Sequence, residues 1–492
     1  MFVGLRHRVF AQYPSLCNCF YRAWKYASRL LRLITRYWYH LWAHPSSIRV
    51  NYPLTGEQRD ERREAFIKSI DKEAICALAA RYNEQKECAV IDLQYGSYNV
   101  CFFVHFPVDN THWVVRVPIG PLVSNGWQKL QSEVATMRYV QQNTTIPVPT
   151  IRGYGHSEQL TRDSCTQQAF LIMDKLPGQS LQLQRLLAST EERRQHFYAE
   201  LGNILAQLDT LRFIRPGYLM LDYGDSAKPL IESSLSIAEN DLMINTGWSR
   251  TAPTKFNSAS DAIEHYYHIL ADVFQVPMAD ASEETIKREI FAVYSLADQL
   301  SKMLDHDQKS GAFSLSHVDL RCQNILVDDD LHITGILDWE WAAVLPRQLC
   351  APPSWITGHD RHSAGFLNKS IYPEFREAME TSEFERGCLS QWTQASLSIA
   401  QILRHPHHLL PIYYEYIYPN IYDRPFSQTA KKFFAVHDHD RVLQERLEAS
   451  RLYTEFLLDR GLFVRDDLTQ RLREILLESD KLNETLTMDR YK

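Results

Sequence analysis

The most informative part of the sequence is SHVDLRCQNILVDDDLHITGILDWEW, Ser316–Trp341. It places a His-x-Asp pair first, then an asparagine, then two β-rich runs, the second of which ends in Asp-Trp-Glu. The two runs flank the polar turn Asp328–Asp330, so the pattern predicts a β-hairpin that brings Asn324 and Asp338 together in space. We interpret the three turn aspartates simply as a polar loop.

The order of polar groups in this stretch is typical of phosphoryl transfer. That reaction needs a carboxylate that accepts or orients the acceptor hydroxyl, and oxygen ligands that hold Mg²⁺ against the phosphates. Asp319 offers the first group, and Asn324 and Asp338 offer the ligands. The alternative is an ordinary turn-and-strand region in which these residues meet by chance.

The same stretch resembles the aminoglycoside phosphotransferase family and, more loosely, the choline kinase-like and protein kinase-like fold. The family pattern H-x-D-L-x-x-x-N-I-L-V-D with a downstream I-D-W-E is matched by HVDLRCQNILVD and ILDWE. The resemblance covers roughly residues 85–350. It implies an α+β, two-lobed protein kinase-like fold, with a small β-rich N-lobe and a larger, mostly α-helical C-lobe.

The resemblance also implies roles for individual residues of the stretch. Asp319 would be the catalytic base, and Asn324 and Asp338 would bind Mg²⁺. His317 would be a structural member of the catalytic loop. For Glu340 two readings stay open: an indirect contact to the metal, or a capping or salt-bridge role.

Upstream of the stretch, YGSYNVCFF resembles the nucleotide loop of the family. Gly96 would permit close approach of the backbone, and Ser97 to Asn99 would offer N–H groups to phosphate. LIMDKLPG resembles the hinge between the lobes, whose backbone near Met173 to Lys175 would hydrogen-bond the adenine of ATP.

The family usually has a lysine on the third strand, whereas WVVRVP offers Arg116. Alternation along this strand places Arg116 on the face opposite to Trp113, Val115 and Val117. Glu133, on the following helix, is the expected partner of this basic residue, which would grip the α- and β-phosphates. Arginine keeps the charge, but its planar fork differs from a compact ammonium, so the substitution bears on catalysis more than on nucleotide binding. An exposed strand residue is the alternative for Arg116, and Lys129 is not expected to replace it.

Charge and cysteine content limit the classes of function. The net charge is −7, and the first 56 residues hold eight Lys/Arg and no acid, which leaves −15 for the rest. An acidic body argues against general nucleic-acid binding. Nine cysteines without a C-x-x-C pair indicate a reducing compartment, so we expect a cytoplasmic protein.

Three segments are predicted: a basic extension (residues 1–56), a nucleotide-binding N-lobe (57–178) and a C-lobe with the catalytic loop (179–492). Within the extension, residues 18–43 carry cations three or four apart on one helical stripe. Such a helix fits a membrane surface, and an acid-free basic start fits a mitochondrial transit peptide. A helix that packs on the body, or a poorly ordered extension, is the equally weighted alternative.

The leading hypothesis is an ATP- and Mg²⁺-dependent phosphotransferase that acts on a hydroxyl of an unknown small molecule. The second is a pseudokinase-like module that binds a nucleotide or a partner; Arg116 and the basic extension support it, whereas retention of Asp319, Asn324 and Asp338 opposes it. A protein kinase is disfavoured because no D-F-G or A-P-E follows Asp338. A hydrolase lacks G-x-S-x-G, and the histidines lack zinc-ligand spacing.

Overall fold

The computed structural model describes residues 52–163, 166–222, 229–232, 236–248, 255–306, 313–359, 368–381 and 392–464. The basic helix predicted for residues 18–43 lies outside these ranges. Within them, no helix combines the length and the apolar character that crossing a membrane requires.

The N-lobe is built on a five-stranded antiparallel sheet in the order β1-β2-β3-β5-β4. Apolar side chains of β2 and β3 alternate, and those of one face, including Val115 and Val117, pack under helix α2. The other face of β3 carries Val114 and Arg116 toward the C-lobe, as the alternation predicted. The strands are β1 Ala89–Tyr95, β2 Asn99–Phe106, β3 Thr111–Pro118, β4 Ile151–Glu158 and β5 Gln168–Asp174; α1 Gly56–Ser69 and α2 Lys72–Tyr82 precede them.

Helix α3, Gly126–Asn143, packs on the face of the sheet that carries Arg116. It begins at Asn125, whose side chain accepts a hydrogen bond from the Gln128 N–H at 3.1 Å. Lys129 and Glu133 lie one turn apart on its buried face. The helix therefore places one cation and one carboxylate beside β3.

The connector between the lobes is hydrogen-bonded to the predicted hairpin. β6, Gln179–Ser180, pairs with β11, Ile325–Val327, which pairs in turn with β12, Ile333–Ile336. The Ile325–Ile336 pairing confirms the hairpin that the sequence predicted. Gly178 has a φ of +98°, and a Cβ there would approach the Val327 carbonyl oxygen to 2.8 Å, so only glycine fits this turn.

The C-lobe is mostly helical, with two small sheets in the orders β13-β10-β7 and β8-β9. Its short strands are β7 Arg212–Phe213, β8 Tyr218–Met220, β9 Leu230–Glu232, β10 Phe313–Ser316 and β13 Ala343–Pro346. Its helices are α4 Leu183–Leu187, α5 Glu191–Thr210, α6 Ile237–Thr246, α7 Ala259–Val273, α8 Glu283–His306, α9 Ser354–Thr357, α10 Asn368–Thr381, α11 Gln394–Arg404, α12 Leu409–Ile412, α13 Tyr418–Ile421, α14 Phe426–Phe433 and α15 His437–Asp459. The predicted two-lobed α+β architecture is confirmed.

Candidate active site

A cleft of about 1300 Å³ lies between the lobes. It is lined by the nucleotide loop, the end of β5, the catalytic loop and the end of β12. All the residues that the sequence analysis selected line it: Gly96, Ser97, Asn99, Arg116, Glu133, Met173, Lys175, His317, Asp319, Asn324 and Asp338. The fold thus brings together groups more than 200 positions apart in the chain.

His317 joins the catalytic loop to the end of the hairpin. Its Nε2 lies 2.8 Å from the Leu337 carbonyl oxygen, and its ring packs edge-on against Trp339 at 4.7 Å between centroids. The side chain is buried, and burial lowers its pKa below the ordinary value, so the imidazole is neutral and Nε2–H donates to Leu337. These contacts fit a structural member of the loop.

The backbone on either side of Asp319 is anchored by two long side chains from the C-lobe. Arg404 Nη2 donates to the carbonyl oxygen of Val318, and Trp355 Nε1 donates to that of Leu320 at 3.1 Å. The Asp319 carboxylate accepts a hydrogen bond from Arg321 Nε at 2.5 Å. The predicted base is therefore held in position and paired with a cation.

The geometry of Asn324 and Asp338 fits a pair of oxygen ligands. Asn324 Nδ2 donates to the Asp319 carbonyl at 2.8 Å, which leaves its Oδ1 to face a cation. The Leu337 N–H donates to the Asn324 carbonyl at 2.8 Å and so holds the two strand ends together. Asp338 has a φ of +64°, which ends β12 and turns its carboxylate into the cleft. One amide oxygen and one carboxylate are a donor set that suits Mg²⁺.

Arg116 lies at the centre of a buried ion-pair cluster and is only 6% exposed, so the alternative of an exposed strand residue is wrong. Nη1 pairs with Glu133, as expected, and Nη2 pairs with Asp338 and lies 3.1 Å from Glu340 Oε2. Burial by itself would raise the pKa of Asp338, but the Arg116 guanidinium holds it below the ordinary value. The Asp338 carboxylate, a predicted metal ligand, is therefore kept ionised.

Lys129 joins this cluster, although the sequence analysis gave it no role there. It is 2% exposed, its Nζ pairs with Glu340, and it lies 3.3 Å from Asn99 Oδ1. Asn99 Nδ2 also donates to Glu340 at 2.6 Å, so of the two readings for Glu340 the structure shows the salt bridge. The spacing of one helical turn between Lys129 and Glu133 indicates that the two side chains share a face of the helix, and this was the signal available in the sequence.

Three carboxylates and two cations make up the cluster: Glu133, Asp338 and Glu340 with Arg116 and Lys129. With every group ionised, this set carries one net negative charge in a buried region. Burial raises the pKa of Glu133 to about 7, because the charged carboxylate loses its hydration.

The nucleotide loop leaves open space at its glycine. A Cβ built at Gly96 would meet no heavy atom within 4 Å, so the packing of the chain itself does not require glycine there. The Gly96 N–H donates to the Asn99 carbonyl at 3.0 Å, and the Asn99 side chain is committed to Glu340 and Lys129. Space for close approach of a phosphate is therefore present, and the Asn99 amide group is not directed to it.

Fewer backbone N–H groups of the predicted hinge are available to adenine than the sequence suggested. Met173 lines the cleft and is largely buried. The Asp174 N–H donates to the Thr150 carbonyl at 3.0 Å, and the Lys175 N–H donates to the His112 carbonyl at 3.1 Å. These two N–H groups are thus not available to adenine.

The model of the phosphotransferase enzyme family matches residues 102–347. A curated relative, clavilactone A biosynthesis cluster protein Y of Ampulloclitocybe clavipes, is 25% identical over 329 residues, which cover 64% of this chain and 74% of that protein.

Similar solved structures include Plasmodium vivax ethanolamine kinase, with 13% identity, 81% of this chain and 95% of that chain covered, and a TM-score of 0.40. A macrolide 2'-phosphotransferase from Brachybacterium faecium has 17% identity, coverage of 68% and 98%, and a TM-score of 0.34. An ADP-bound aminoglycoside phosphotransferase has 12% identity, coverage of 77% and 99%, and a TM-score of 0.39.

The family match begins in β2 and ends just after β13. It therefore includes the third strand, the hinge, the catalytic loop and the hairpin, and it spans half of the 492 residues. The resemblance on which the sequence analysis relied is confirmed by this match: the chain belongs to the phosphotransferase enzyme family.

Proposed function

We propose that this protein transfers the γ-phosphoryl group of ATP, with Mg²⁺, to a hydroxyl of a small molecule. The observation that carries the proposal is the convergence of Asp319, Asn324 and Asp338 in one cleft: hydrogen bonds within the catalytic loop hold the first two, and Arg116 holds Asp338. Membership of the phosphotransferase family supports it, as does the ADP bound in one structurally similar relative.

In the proposed reaction the acceptor oxygen attacks the γ-phosphorus, and a new P–O bond forms while the bond to the β–γ bridging oxygen breaks. The hydroxyl proton passes to the Asp319 carboxylate, and ADP leaves with the bridging oxygen. The anchors at Val318 and Leu320 limit how far Asp319 moves. Such a reaction depends strongly on the positioning of the reacting groups, and these anchors position the base.

Asn324 and Asp338 are the residues that would hold Mg²⁺. The ion would neutralise charge that develops on the phosphoryl group. Because Arg116 keeps Asp338 ionised, the carboxylate is ready for a cation without first losing a proton. Arg116 would then turn its released Nη2 toward the phosphates while Nη1 stays with Glu133.

The first experiment is calorimetric titration of ATP, with and without Mg²⁺, on the wild type and on Asp338→Asn. We expect the wild type to bind ATP more tightly with Mg²⁺, and the variant to lose that metal dependence. Asp319→Asn should bind Mg²⁺–ATP like the wild type but lower the transfer rate by about a hundredfold or more, as removal of a general base does. Metal dependence that survives in Asp338→Asn would contradict the assignment.

A pseudokinase-like binding module is the second candidate. The pairing of Arg116 with Asp338 favours it, because this ion pair already neutralises the proposed metal ligand. In that case the titration would show ATP binding that is indifferent to Mg²⁺, and Asp319→Asn would change nothing measurable.

A further inference from the structure

The part of the cleft next to Asp319 on the C-lobe side, here called the acceptor region, is lined by several basic side chains. Its described lining residues between positions 342 and 408 include no Asp or Glu. Arg321 of the catalytic loop reaches the same part of the cleft. The basic residues of the acceptor region are Arg321, Arg347, Arg404, His405, His407 and His408.

The carboxylates that line the cleft are all paired with cations of the protein. Those of the ion-pair cluster are held by Arg116 and Lys129, and Asp319 is held by Arg321. Asp174 lies 2.7 Å from Arg152 and Asp209 lies 2.7 Å from Arg212. A cationic acceptor such as an amine would therefore have to displace a cation of the protein from one of these described carboxylates.

Arg404 is the most informative residue of the acceptor region. It is 6% exposed, and Nη2 donates to the Val318 carbonyl, but Nε and Nη1 are buried and find no hydrogen-bond partner among the described residues. Burial lowers the pKa of this guanidinium below its ordinary value. A buried charged donor without partners is costly, and an anion would satisfy both its N–H groups and its charge.

Three histidines of the acceptor region lie close together beside Arg404. The rings of His405 and His408 lie 5.9 Å apart, and those of His407 and His408 lie 4.1 Å apart. Burial and then the positive charge of Arg404 lower the pKa of His405 well below its ordinary range. His405 is therefore neutral, and the positive charge beside it comes from the guanidinium groups of Arg404 and Arg321.

We propose that the acceptor is a small hydroxylated anion whose acidic group binds in the acceptor region while its hydroxyl faces Asp319. This inference rests on the proposed function and names its substrate class. Arg321 would couple the two ends: its Nε now holds Asp319 Oδ1 at 2.5 Å, and an anion that draws the guanidinium away frees that oxygen for the hydroxyl proton. A carboxylate and a phosphate ester share this chemistry.

Binding is tested first with inorganic sulfate as the probe, by calorimetry on tag-free protein with and without a saturating Mg²⁺ complex of a non-hydrolysable ATP analogue. The analogue occupies Arg116 and so limits sulfate to the acceptor region. We expect sulfate to bind, and Arg321→Gln and His407→Gln each to weaken it by about tenfold. Arg451→Gln is the matched control, since Arg451 is also a half-exposed arginine paired with carboxylates, on α15.

Sulfate binding that is absent, or that Arg321→Gln and His407→Gln leave unchanged, would overturn the proposal. If the ATP analogue fails to bind while sulfate still binds in an Arg321-dependent manner, the proposed function fails and the anion site stands. If the analogue binds and sulfate does not, the anion site fails and the proposed function stands.

The second measurement compares acceptors by ADP release. Glycerate supplies a carboxylate, glycerol phosphate supplies a phosphate ester, and ethanolamine and serinol supply amines of similar size. We expect turnover with at least one of the two anions, and the better of them identifies the acidic group. Turnover of the amines in preference to both anions would refute the anionic acceptor.

Discussion

At the scale of the residue, the buried pair Lys129–Glu340 is the least expected feature of the cluster. Lys129→Met would leave the buried Glu340 carboxylate with Arg116 and Asn99 as its polar partners among the described residues. Breaking such a pair typically costs about 3–5 kcal/mol, and we expect the lower end because Arg116 Nη2 stays 3.1 Å away. Urea unfolding of the variant measures the change.

Two further variants make this prediction specific. Lys129→Met with Glu340→Gln should recover most of the lost stability, because no uncompensated charge stays buried. Lys432→Met, on an exposed position of α14, should shift the free energy of unfolding by no more than about 0.5 kcal/mol. Equal losses for Lys129→Met and Lys432→Met would show that the buried pair contributes nothing.

At the scale of the element, a His-Glu-His triad joins helix α5 to the hairpin that carries the proposed metal ligands. Glu200 Oε1 lies 3.1 Å from His332 Nδ1 and 3.0 Å from His196 Nε2, and Glu200 Oε2 accepts from the Ile333 N–H at 2.7 Å. The hydrogen bond to Glu200 raises the pKa of His332 above its ordinary value. The triad therefore tightens this junction when His332 is protonated.

The sign of the pH dependence follows from that shift. A histidine whose pKa is higher in the folded state stabilises it fully below the unfolded pKa, near about 6.5, and this contribution is lost as pH rises through the folded value. The difference in unfolding free energy between wild type and His332→Gln should therefore shrink from about pH 6 to pH 8. His437→Gln, at an exposed histidine, is the control; a flat difference for His332→Gln would contradict the assignment.

At the scale of the whole molecule, the two lobes share a core and a set of polar contacts. Val114 and Val134 of the N-lobe belong to the same apolar cluster as Ile325 and Trp339 of the C-lobe. Tyr98 of the nucleotide loop also donates to Asp241 of α6 at 2.9 Å. We expect one calorimetric unfolding transition, with equal calorimetric and van't Hoff enthalpies. Two separated transitions would show that the lobes unfold independently.

How much of this the sequence predicts depends on the range of the contacts. The hairpin, and the proximity of Asp319, Asn324 and Asp338 that it produces, were predictable. Both are local features that follow from alternation along the strands, a turn and short spacing in the chain. The contacts of Lys129 with Glu340 and of Arg404 with Val318 join positions 211 and 86 apart, so no local pattern reveals them. The pairing of the Asp174 and Lys175 N–H groups was not predictable for a related reason: sheet register determines their partners, the carbonyl groups of Thr150 and His112.

The buried cluster has one more consequence. Arg116 and Lys129, which come from the N-lobe, pair with Asp338 and Glu340 of the C-lobe, so ion pairs of the protein itself join the two lobes. A nucleotide would bring phosphates for the cations, and Mg²⁺ would bring charge for the carboxylates. Loading the cleft would then exchange internal counterions for external ones. Neither ligand alone replaces both kinds of counterion. Binding of the nucleotide should therefore increase the affinity for the metal, and binding of the metal should increase the affinity for the nucleotide.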